Sequence, residues 1–214
     1  MEDRYKETHK TWNKIAQLYE EKFMGLELYH DTYKRFCALL SRPDASVLEI
    51  GCGPGNIARH TLDLNPKLKV LATDISENMI RLAKKNTPEA DVQLLDCRNL
   101  SAINRKFDGI ICGFVIPYLS KIDCLKLIAD CANLLTEDGV FYLSFVSGNY
   151  EKSGFLSGCT GDRTYFYYHE LKRIRQELES NHLVIVDEIF KEFKKSETIS
   201  ETHTIINAKK HILR

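Results

Sequence analysis

The sequence predicts an α/β fold in which helices flank a doubly wound, mostly parallel seven-stranded sheet (Rossmann-like). Three observations predict it. A short apolar run at 47–50 leads into a glycine-rich turn and a helical pattern, which is how a nucleotide-binding α/β unit begins. Strand-length apolar runs then alternate with amphipathic helical segments up to residue 146. Two last strand patterns, joined by a short polar turn, predict a C-terminal antiparallel hairpin.

The N-terminal segment, 1–43, predicts helices before the first strand. The pattern from Thr8 to Leu40 fits two helices. Apolar residues at i, i+3 and i+4 spacing form one stripe on the first of them. The stripe contains Trp12, Ile15, Ala16, Tyr19 and Phe23. Packing of this stripe on an edge of the sheet is its ordinary interpretation.

The segment 44–147 predicts the centre of the sheet. Strands are expected at 47–50, 69–73, 92–95, 107–114 and 140–146, and helices at 57–64, 76–85 and 121–135. Glu137, Asp138 and Gly139 are expected to form the turn before the fifth strand. In a doubly wound sheet the strand order reverses between the first and fourth strands, and a crevice opens there at their carboxyl ends.

The remaining chain predicts an insertion and a closing hairpin. The segment 148–168 begins at the carboxyl end of the fifth strand, so it is expected on the substrate side. Its part from Gly148 to Thr164 holds four glycines and predicts an irregular loop. The segment 169–214 predicts a helix at 170–180 and strands from Leu183 and over Thr202–Ile212, joined by a turn at 194–197. Residues 1–214 are therefore expected to form a single domain.

The composition indicates a protein of the reducing cytoplasm. Lys+Arg and Asp+Glu each total 30, so the formal net charge is zero, which argues against broad electrostatic binding of nucleic acid. The seven cysteines are scattered without C-x-x-C, which predicts no disulfide framework and no metal site. The N-terminus lacks the apolar core of a signal peptide, and no membrane association is expected.

The glycine-rich stretch 47–56 has the sequence VLEIGCGPGN. Its G-x-G-x-G spacing differs from the G-x-G-x-x-G of dinucleotide sites, and the Gly-Lys-Ser/Thr ending of a P-loop is absent. The stretch resembles the first motif of the class I S-adenosylmethionine-dependent methyltransferases, [V/I]-L-[D/E]-[I/L]-G-C-G-x-G. This resemblance implies that the loop underlies the methionine part of S-adenosylmethionine, with Glu49 beside it. The implied loop contacts are Gly51, Cys52, Gly53, Gly55 and Asn56.

An acid, Asp74, ends the second strand about twenty residues past the glycines. It is placed to accept hydrogen bonds from both ribose hydroxyls, unless it caps the next helix, a task that Ser76 can also take. The resemblance implies further cofactor contacts along the chain. They are Ile75 and Met79 beside the adenine, Asp96 and Cys97 at its edge, Gly113 and Phe114 at the end of the fourth strand, and Trp12 and Tyr19 in an N-terminal lid helix of the form W-x-x-I-A-x-x-Y. An ordinary turn residue is the alternative interpretation of Asp96.

The sequence gives weaker indications of the residues that would contact the methyl acceptor. The stretch 115–118, Val-Ile-Pro-Tyr, lacks the first residue of the [D/N/S]-P-P-[Y/F/W] motif of nucleic-acid amino-methyltransferases. The candidate catalytic residues are Tyr118 and His169, whose imidazole can take a proton near neutral pH. The candidate substrate contacts are Tyr168 and Arg163, which can hold a carboxylate or phosphate in a bidentate fork. A helix-start residue and a solvated arginine are the alternative interpretations of His169 and Arg163. The aromatic run 163–169 that contains them could equally be a strand that packs on the sheet.

These observations predict a cytoplasmic methyltransferase that moves the methyl group of S-adenosylmethionine directly, in line, to a small molecule and releases S-adenosylhomocysteine. No nucleic-acid partner is expected, and the oligomeric state is left open. Because the donor is already activated, alignment of the reacting groups supplies much of the catalysis. The alternatives are a non-catalytic cofactor-binding protein or partner subunit, an NAD-dependent oxidoreductase, and a protein or RNA methyltransferase.

Overall fold

The computed structural model describes residues 3–158 and 160–211. The strands are β1 (Ser46–Ile50), β2 (Lys69–Asp74), β3 (Asp91–Leu94), β4 (Phe107–Gly113), β5 (Leu135–Val146), β6 (Gly154–Ser157), β7 (Arg163–Phe166), β8 (Leu183–Lys194) and β9 (Ser200–Lys210). The helices are α1 (Arg4–Lys14), α2 (Ala16–Phe23), α3 (His30–Leu39), α4 (Asn56–Leu64), α5 (Glu77–Asn86), α6 (Lys121–Leu134) and α7 (Leu171–Ser180).

The main sheet has the strand order β3-β2-β1-β4-β5-β9-β8. Strands β1 to β5 are parallel, while β9 is antiparallel to both β5 and β8. The order in which strands are added reverses at β1, which pairs in parallel with β2 on one side and with β4 on the other. The predicted doubly wound sheet with a C-terminal antiparallel hairpin is therefore confirmed.

Two apolar cores cover the two faces of this sheet. On one face α6 and α7 pack over strand residues such as Phe107 and Phe141. On the other face α3, α4 and α5 pack over residues such as Val47 and Tyr142. Full burial of a phenylalanine side chain contributes about 1.5–3 kcal/mol, so these layers hold the strand ends in fixed positions.

The N-terminal helices differ from the prediction. Helix α1 already begins at Arg4, after the N-cap Asp3, and ends at Lys14, because Ile15 has φ and ψ of −94° and 13°, which are not helical. The predicted apolar stripe is therefore divided between two helices, α1 and α2. The rings of Trp12 and Tyr19 still meet across the break, with their centroids 5.4 Å apart.

The predicted irregular loop from Gly148 to Thr164 is wrong, because much of it forms a hairpin. Strands β6 and β7 pair in an antiparallel two-stranded sheet. Phe155 and Tyr165 lie opposite each other with ring centroids 5.1 Å apart, a cross-strand aromatic pair of the kind that stabilises hairpins. The glycines in this segment conceal the strand pattern in the sequence. Cys159, in the connection between these strands, lies outside the described residues.

The predicted turn at 137–139 is also wrong, because β5 runs through it from Leu135. Asp138 has a φ of +59°, and the register against β4 shifts between Phe107 and Gly109. Four residues of β5, 136–139, lie opposite the single residue Asp108, so three extra residues are accommodated as an irregular bulge within the strand rather than as a turn. The predicted end of the last strand, Ile212, lies outside the described residues. No helix within the described part of the chain is long and apolar enough to cross a membrane.

Candidate functional site

A cavity of about 350 Å³ lies at the carboxyl ends of β1, β2 and β4. Helices α1 and α2 contribute to its wall, and we call this cavity the crevice. It brings together every predicted cofactor contact except Glu49 and Gly55. Those present in its lining are Trp12, Tyr19, Gly51, Cys52, Gly53, Asn56, Asp74, Ile75, Met79, Asp96, Cys97, Gly113 and Phe114.

The glycine loop is hydrogen-bonded to the end of β2. Gly51 has a φ of +64°, and a β-carbon at this position would lie 2.4 Å from Cγ2 of Val115, so no larger residue fits without displacing the loop. The backbone N–H of Cys52 donates to the Thr73 carbonyl at 2.9 Å. That of Gly53 donates to Oδ2 of Asp74, also at 2.9 Å. The loop and Asp74 therefore form one rigid unit.

Asp74 keeps part of its carboxylate available to the crevice. Its Oδ1 accepts from the backbone N–H of Ser76 at 2.8 Å, in addition to the bond from Gly53. An ionised carboxylate has about four acceptor positions, so these two bonds do not exhaust it. Burial raises the pKa of Asp74. The N-cap of α5 is Ser76, whose hydroxyl accepts from Met79 N–H, so Asp74 is free of that role.

Glu49 and Gly55 lie behind the loop rather than in the crevice lining. The Glu49 side chain is buried, with 1% exposed, and neither carboxyl oxygen makes a hydrogen bond of normal geometry within the described chain. Burial, opposed by the backbone of Ala58 and assisted by the charge of Asp74, raises the pKa of Glu49 to about 8. Gly55 is the N-cap of α4, with a φ of +90°.

Asp96 enters the crevice with a charge partner. Its Oδ1 accepts from the backbone N–H of Arg98 at 2.9 Å, and the Nε of the same arginine lies 3.0 Å from each carboxyl oxygen. Burial would raise the pKa of Asp96, but the hydrogen bonds from Arg98 outweigh it and hold that pKa below its ordinary value. The guanidinium of Arg98 lies 4.4 Å from the ring centroid of Tyr5 on α1.

Helix α1 is held over the crevice from two sides. On one side, Oδ1 of Asn13 accepts from the hydroxyl of Ser76 at 2.8 Å and from the backbone N–H of Asn78 at 3.0 Å. On the other side, the hydroxyl of Thr8 accepts from the backbone N–H of Tyr165 on β7 at 2.9 Å. These bonds fix α1 between α5 and the β6–β7 hairpin, where it forms a cover.

Tyr118 lines the crevice as predicted for an acceptor residue. Its ring centroid lies 5.3 Å from that of Trp12 and 6.0 Å from that of Phe166. Burial raises the pKa of Tyr118 far above its ordinary value, with smaller contributions from Tyr19 and Glu201. The group therefore stays a neutral phenol, which can donate a hydrogen bond but is a poor acceptor of a proton.

The other three predicted acceptor residues are not in the crevice lining. Nε2 of His169 lies 2.9 Å from the Ile116 carbonyl oxygen, and burial lowers the pKa of His169. Nε of Arg163 lies 2.5 Å from Oε1 of Glu7, and its guanidinium lies over the Phe155 ring. The ring of Tyr168 packs against Gly148. Residues 163–166 form β7, and residues 167–169 lead back to the main sheet. The side chains of Arg163, Tyr168 and His169 therefore contact neighbouring elements and do not line the crevice.

Two groups of lining residues are not among those predicted from the sequence. Tyr5, Thr8 and His9 precede Trp12 at the same helical spacing, so a longer stripe would have identified them. The second group joins residues that are distant in the sequence and gives no local signal. It contains Tyr29, Tyr33, Phe193, Glu201 and His203. Within the described ranges no cluster of three or more His, Cys, Asp or Glu side chains could hold a metal ion.

Residues 47–139 match the family model of a methyltransferase domain. The chain is 27% identical over 186 residues to a malonyl-[acyl-carrier protein] O-methyltransferase of Priestia megaterium, an alignment that covers 81% of this chain and 65% of the relative. It is 31% identical over 164 residues to a tRNA N(3)-methylcytidine methyltransferase of Schizosaccharomyces pombe, covering 71% of this chain and 65% of the relative. The chain thus spans about two thirds of the length of these two curated relatives.

Solved methyltransferase structures share the fold. A 1,6-didemethyltoxoflavin-N1-methyltransferase of Burkholderia thailandensis, solved with 1,6-didemethyltoxoflavin and S-adenosylhomocysteine, superposes with a TM-score of 0.71. The match covers 95% of this chain and 87% of that protein at 16% identity. The shared architecture places the crevice at the edge where the parallel strands end.

Proposed function

We propose that this chain, which carries a class I S-adenosylmethionine-dependent methyltransferase domain, transfers a methyl group directly to a small-molecule acceptor. S-adenosylmethionine is the cofactor, and it supplies a methyl group already activated on a sulfonium sulfur. The single observation that carries the small-molecule assignment is the enclosure of the crevice by α1, α2 and the β6–β7 hairpin.

The residues of the crevice fit this cofactor. Nε1 of Trp12 is a buried donor that has no hydrogen-bond partner among the described residues, so a bound carboxylate would satisfy it. The close approach of backbone at Gly51 and Gly53 provides a surface without side chains beside it. Asp74 retains acceptor positions for ribose hydroxyls. Asp96 and the backbone of Cys97 would hold the adenine.

The enclosed end of the crevice suits a compact acceptor. Helix α1 is held down by hydrogen bonds at both sides, so an acceptor must fit beneath it rather than lie across an open groove. The rings of Trp12, Tyr118 and Phe166 form one part of this wall, and Tyr29, Phe114 and Phe193 form another. Aromatic walls exclude water and orient a flat or apolar molecule, so these residues would align the acceptor for in-line transfer.

The charges of the crevice argue against a polyanionic acceptor. Nucleic acids are bound through lysines and arginines that contact phosphates. Among the described residues that line the crevice, Arg98 is the sole lysine or arginine, and Asp96 is paired with it. Asp74, Asp96 and Glu201 add negative charge to the same walls.

The proposal is tested by presenting the three acceptor classes side by side. Methyl-tritiated S-adenosylmethionine is incubated with the protein and the low-mass fraction, the total tRNA or the protein fraction of one cell extract. We expect enzyme-dependent label in the low-mass fraction. Label confined to tRNA or to protein would contradict the small-molecule acceptor. Binding of S-adenosylhomocysteine without label in any fraction would instead favour a non-catalytic cofactor-binding protein.

A further inference from the structure

Three titratable side chains form a hydrogen-bonded chain in the wall of the crevice. The hydroxyl of Tyr29 lies 2.6 Å from Nδ1 of His203, and Nε2 of His203 lies 2.9 Å from Oε1 of Glu201. All three residues line the crevice. Tyr29 ends the short helical turn before α3, whereas Glu201 and His203 are on β9, so the fold joins distant parts of the sequence here.

The surroundings bury Tyr29 and His203, while Glu201 is partly exposed. Tyr29 and His203 are 6% and 5% exposed. The ring of Phe193 stacks on the imidazole with centroids 4.9 Å apart, and Phe114 packs against its edge at 4.8 Å. A rigid aromatic enclosure of this kind holds an imidazole in one orientation.

The charged groups around the imidazole are already paired. Lys195 forms an ion pair with the second carboxyl oxygen of Glu201. Lys191, which is opposite His203 in the β8–β9 register, is paired with Asp31 of α3. The chain of bonds therefore continues from Tyr29 to His203 and Glu201, with its far end anchored by Lys195.

The protonation state of Glu201 sets the direction of every bond in this chain. Burial would raise the pKa of Glu201, but hydrogen bonds from His203 and Lys195 outweigh it and hold that pKa below its ordinary value. An ionised carboxylate only accepts, so Nε2 of a neutral His203 must be the donor. Nδ1 then carries no proton and accepts from Tyr29. The Tyr29 oxygen thus keeps its lone pairs for a donor bound in the crevice.

Building on the proposed function, we infer that Tyr29, His203 and Glu201 form a proton relay that deprotonates the acceptor during methyl transfer. The acceptor's O–H or N–H proton passes to the Tyr29 oxygen while the Tyr29 proton passes to Nδ1 of His203. The freed electron pair of the acceptor forms the bond to the methyl carbon, and the carbon–sulfur electron pair stays on sulfur. The imidazolium is stabilised by Glu201. After the product leaves, the Nδ1 proton returns to the Tyr29 oxygen as the Tyr29 hydroxyl proton passes to water that enters the crevice, which restores the starting tautomer.

The relay defines the chemical class of the acceptor. A carboxylate is already ionised near neutral pH and needs no base, whereas a neutral hydroxyl, phenol or N–H group does. Burial raises the pKa of Tyr29 well above its ordinary value, so its phenol stays protonated and is not itself an anionic base. The hydroxyl instead accepts one proton as it donates another. The acceptor is therefore a compact molecule with a neutral, protonated nucleophile.

The kinetic test compares Tyr29→Phe and His203→Gln with wild type in the tritium assay on the low-mass fraction. We expect both variants to label at least about 100-fold more slowly near pH 7, the usual contribution of general acid–base catalysis, and to recover partly as the pH rises. Calorimetry should give an unchanged affinity for S-adenosylhomocysteine, which also shows that the variants fold. The matched control is His60→Gln, a histidine outside the crevice lining that stacks on His30.

A second measurement does not depend on activity. The nitrogen chemical shifts of ¹⁵N-labelled histidine, assigned by their loss in His203→Gln, should show a proton on Nε2 and none on Nδ1 in the neutral ring. A proton on Nδ1 would overturn the relay, as would wild-type labelling rates and pH profiles in both variants. Absence of label in the wild-type low-mass fraction would refute the proposed function instead, and the tautomer would still decide the relay.

Discussion

Glu49 is a buried acid without a normal hydrogen bond, placed directly behind the glycine loop. Burial raises its pKa in the folded state from 4.5 to about 8. Its contribution to stability is therefore present in full below about pH 4.5 and is lost as the pH rises through about 8, because the unfolded chain releases the proton first. Glu49→Gln removes this loss, so we expect the variant to gain stability relative to wild type between these pH values, by on the order of a few kcal/mol.

Urea unfolding of both proteins at several pH values between 5 and 8 measures this difference. Glu197→Gln, at an exposed glutamate in the β8–β9 connection, is the matched control and should follow wild type throughout. Parallel stability curves for Glu49→Gln and wild type would show that Glu49 is ionised in the folded protein. That result would contradict the conclusion that Glu49 is buried behind the glycine loop without a hydrogen bond of normal geometry.

Among single residues, the sequence predicts those whose contacts in the crevice are with residues close to them along the chain. The crevice contains Asp74 and the glycines of 51–53 because the strand ends that carry them are fixed by short, regular spacings. Tyr29 and His203 could not be paired from the sequence, since 174 positions separate them and only the antiparallel β9 brings them together. His169 is a candidate base in the sequence because its imidazole can take a proton near neutral pH, but in the structure its Nε2 lies 2.9 Å from the Ile116 carbonyl oxygen.

Among the elements, α1 covers the crevice and is attached to α5 and to the β6–β7 hairpin through polar side-chain contacts. Asn13 accepts two of them, from Ser76 and Asn78. We expect Asn13→Ala to leave both donors without this partner and to weaken the closed position of α1 by about 1–3 kcal/mol. Hydrogen exchange followed by mass spectrometry should show faster exchange over 4–14 and unchanged exchange in β4.

Asn65→Ala is the matched control for this experiment. Asn65 also makes side-chain hydrogen bonds across a loop, to the Pro43 carbonyl and the backbone N–H of Lys67, but it lies at the end of α4. Its substitution should leave exchange in α1 at the wild-type rate. Equal exchange over 4–14 in Asn13→Ala and wild type would mean that the contacts of α1 with β7 suffice to hold the cover closed.

Elements were predictable where one periodicity dominates. The parallel strands are apolar on both faces, and the helices between them have clear apolar stripes, so both appear in the sequence. The β6–β7 hairpin was not predictable because its stability comes from the pair Phe155–Tyr165 and from contact with α1. The start of β5 was missed because Asp138 and Gly139 are typical of a turn, whereas pairing with β4 makes them part of a bulge.

The whole molecule surrounds one crevice with parts of nearly its entire length, from Tyr5 on α1 to His203 on β9. The order of the sheet could be predicted because doubly wound topologies restrict which strands are neighbours. The closure of the crevice could not, because it depends on side-chain hydrogen bonds between α1, α5 and β7. A ligand in the crevice therefore contacts elements that the sequence alone leaves unconnected.

Because the crevice draws on α1, the central strands and β9, S-adenosylhomocysteine should stabilise the chain as one unit. At 100 times its dissociation constant a ligand adds about 2.7 kcal/mol, which for a chain of this size raises the midpoint of thermal unfolding by about 5–10 °C. We expect a single calorimetric transition that moves by this amount, and no shift with NADH. Two separate transitions, of which only one moves, would contradict the single domain.

Asp74→Asn should reduce that shift at the same ligand concentration. The loss of charge-assisted hydrogen bonds costs about 1.5–3 kcal/mol, so the affinity for S-adenosylhomocysteine should fall by roughly 10- to 100-fold. Asp63→Asn is the control, since Asp63 is an exposed partner of Arg59 on α4 and lies outside the crevice lining. An undiminished shift in a folded Asp74→Asn protein would mean that the ribose is held elsewhere. It would also remove the reason for placing the adenosyl group across the ends of β1 and β2.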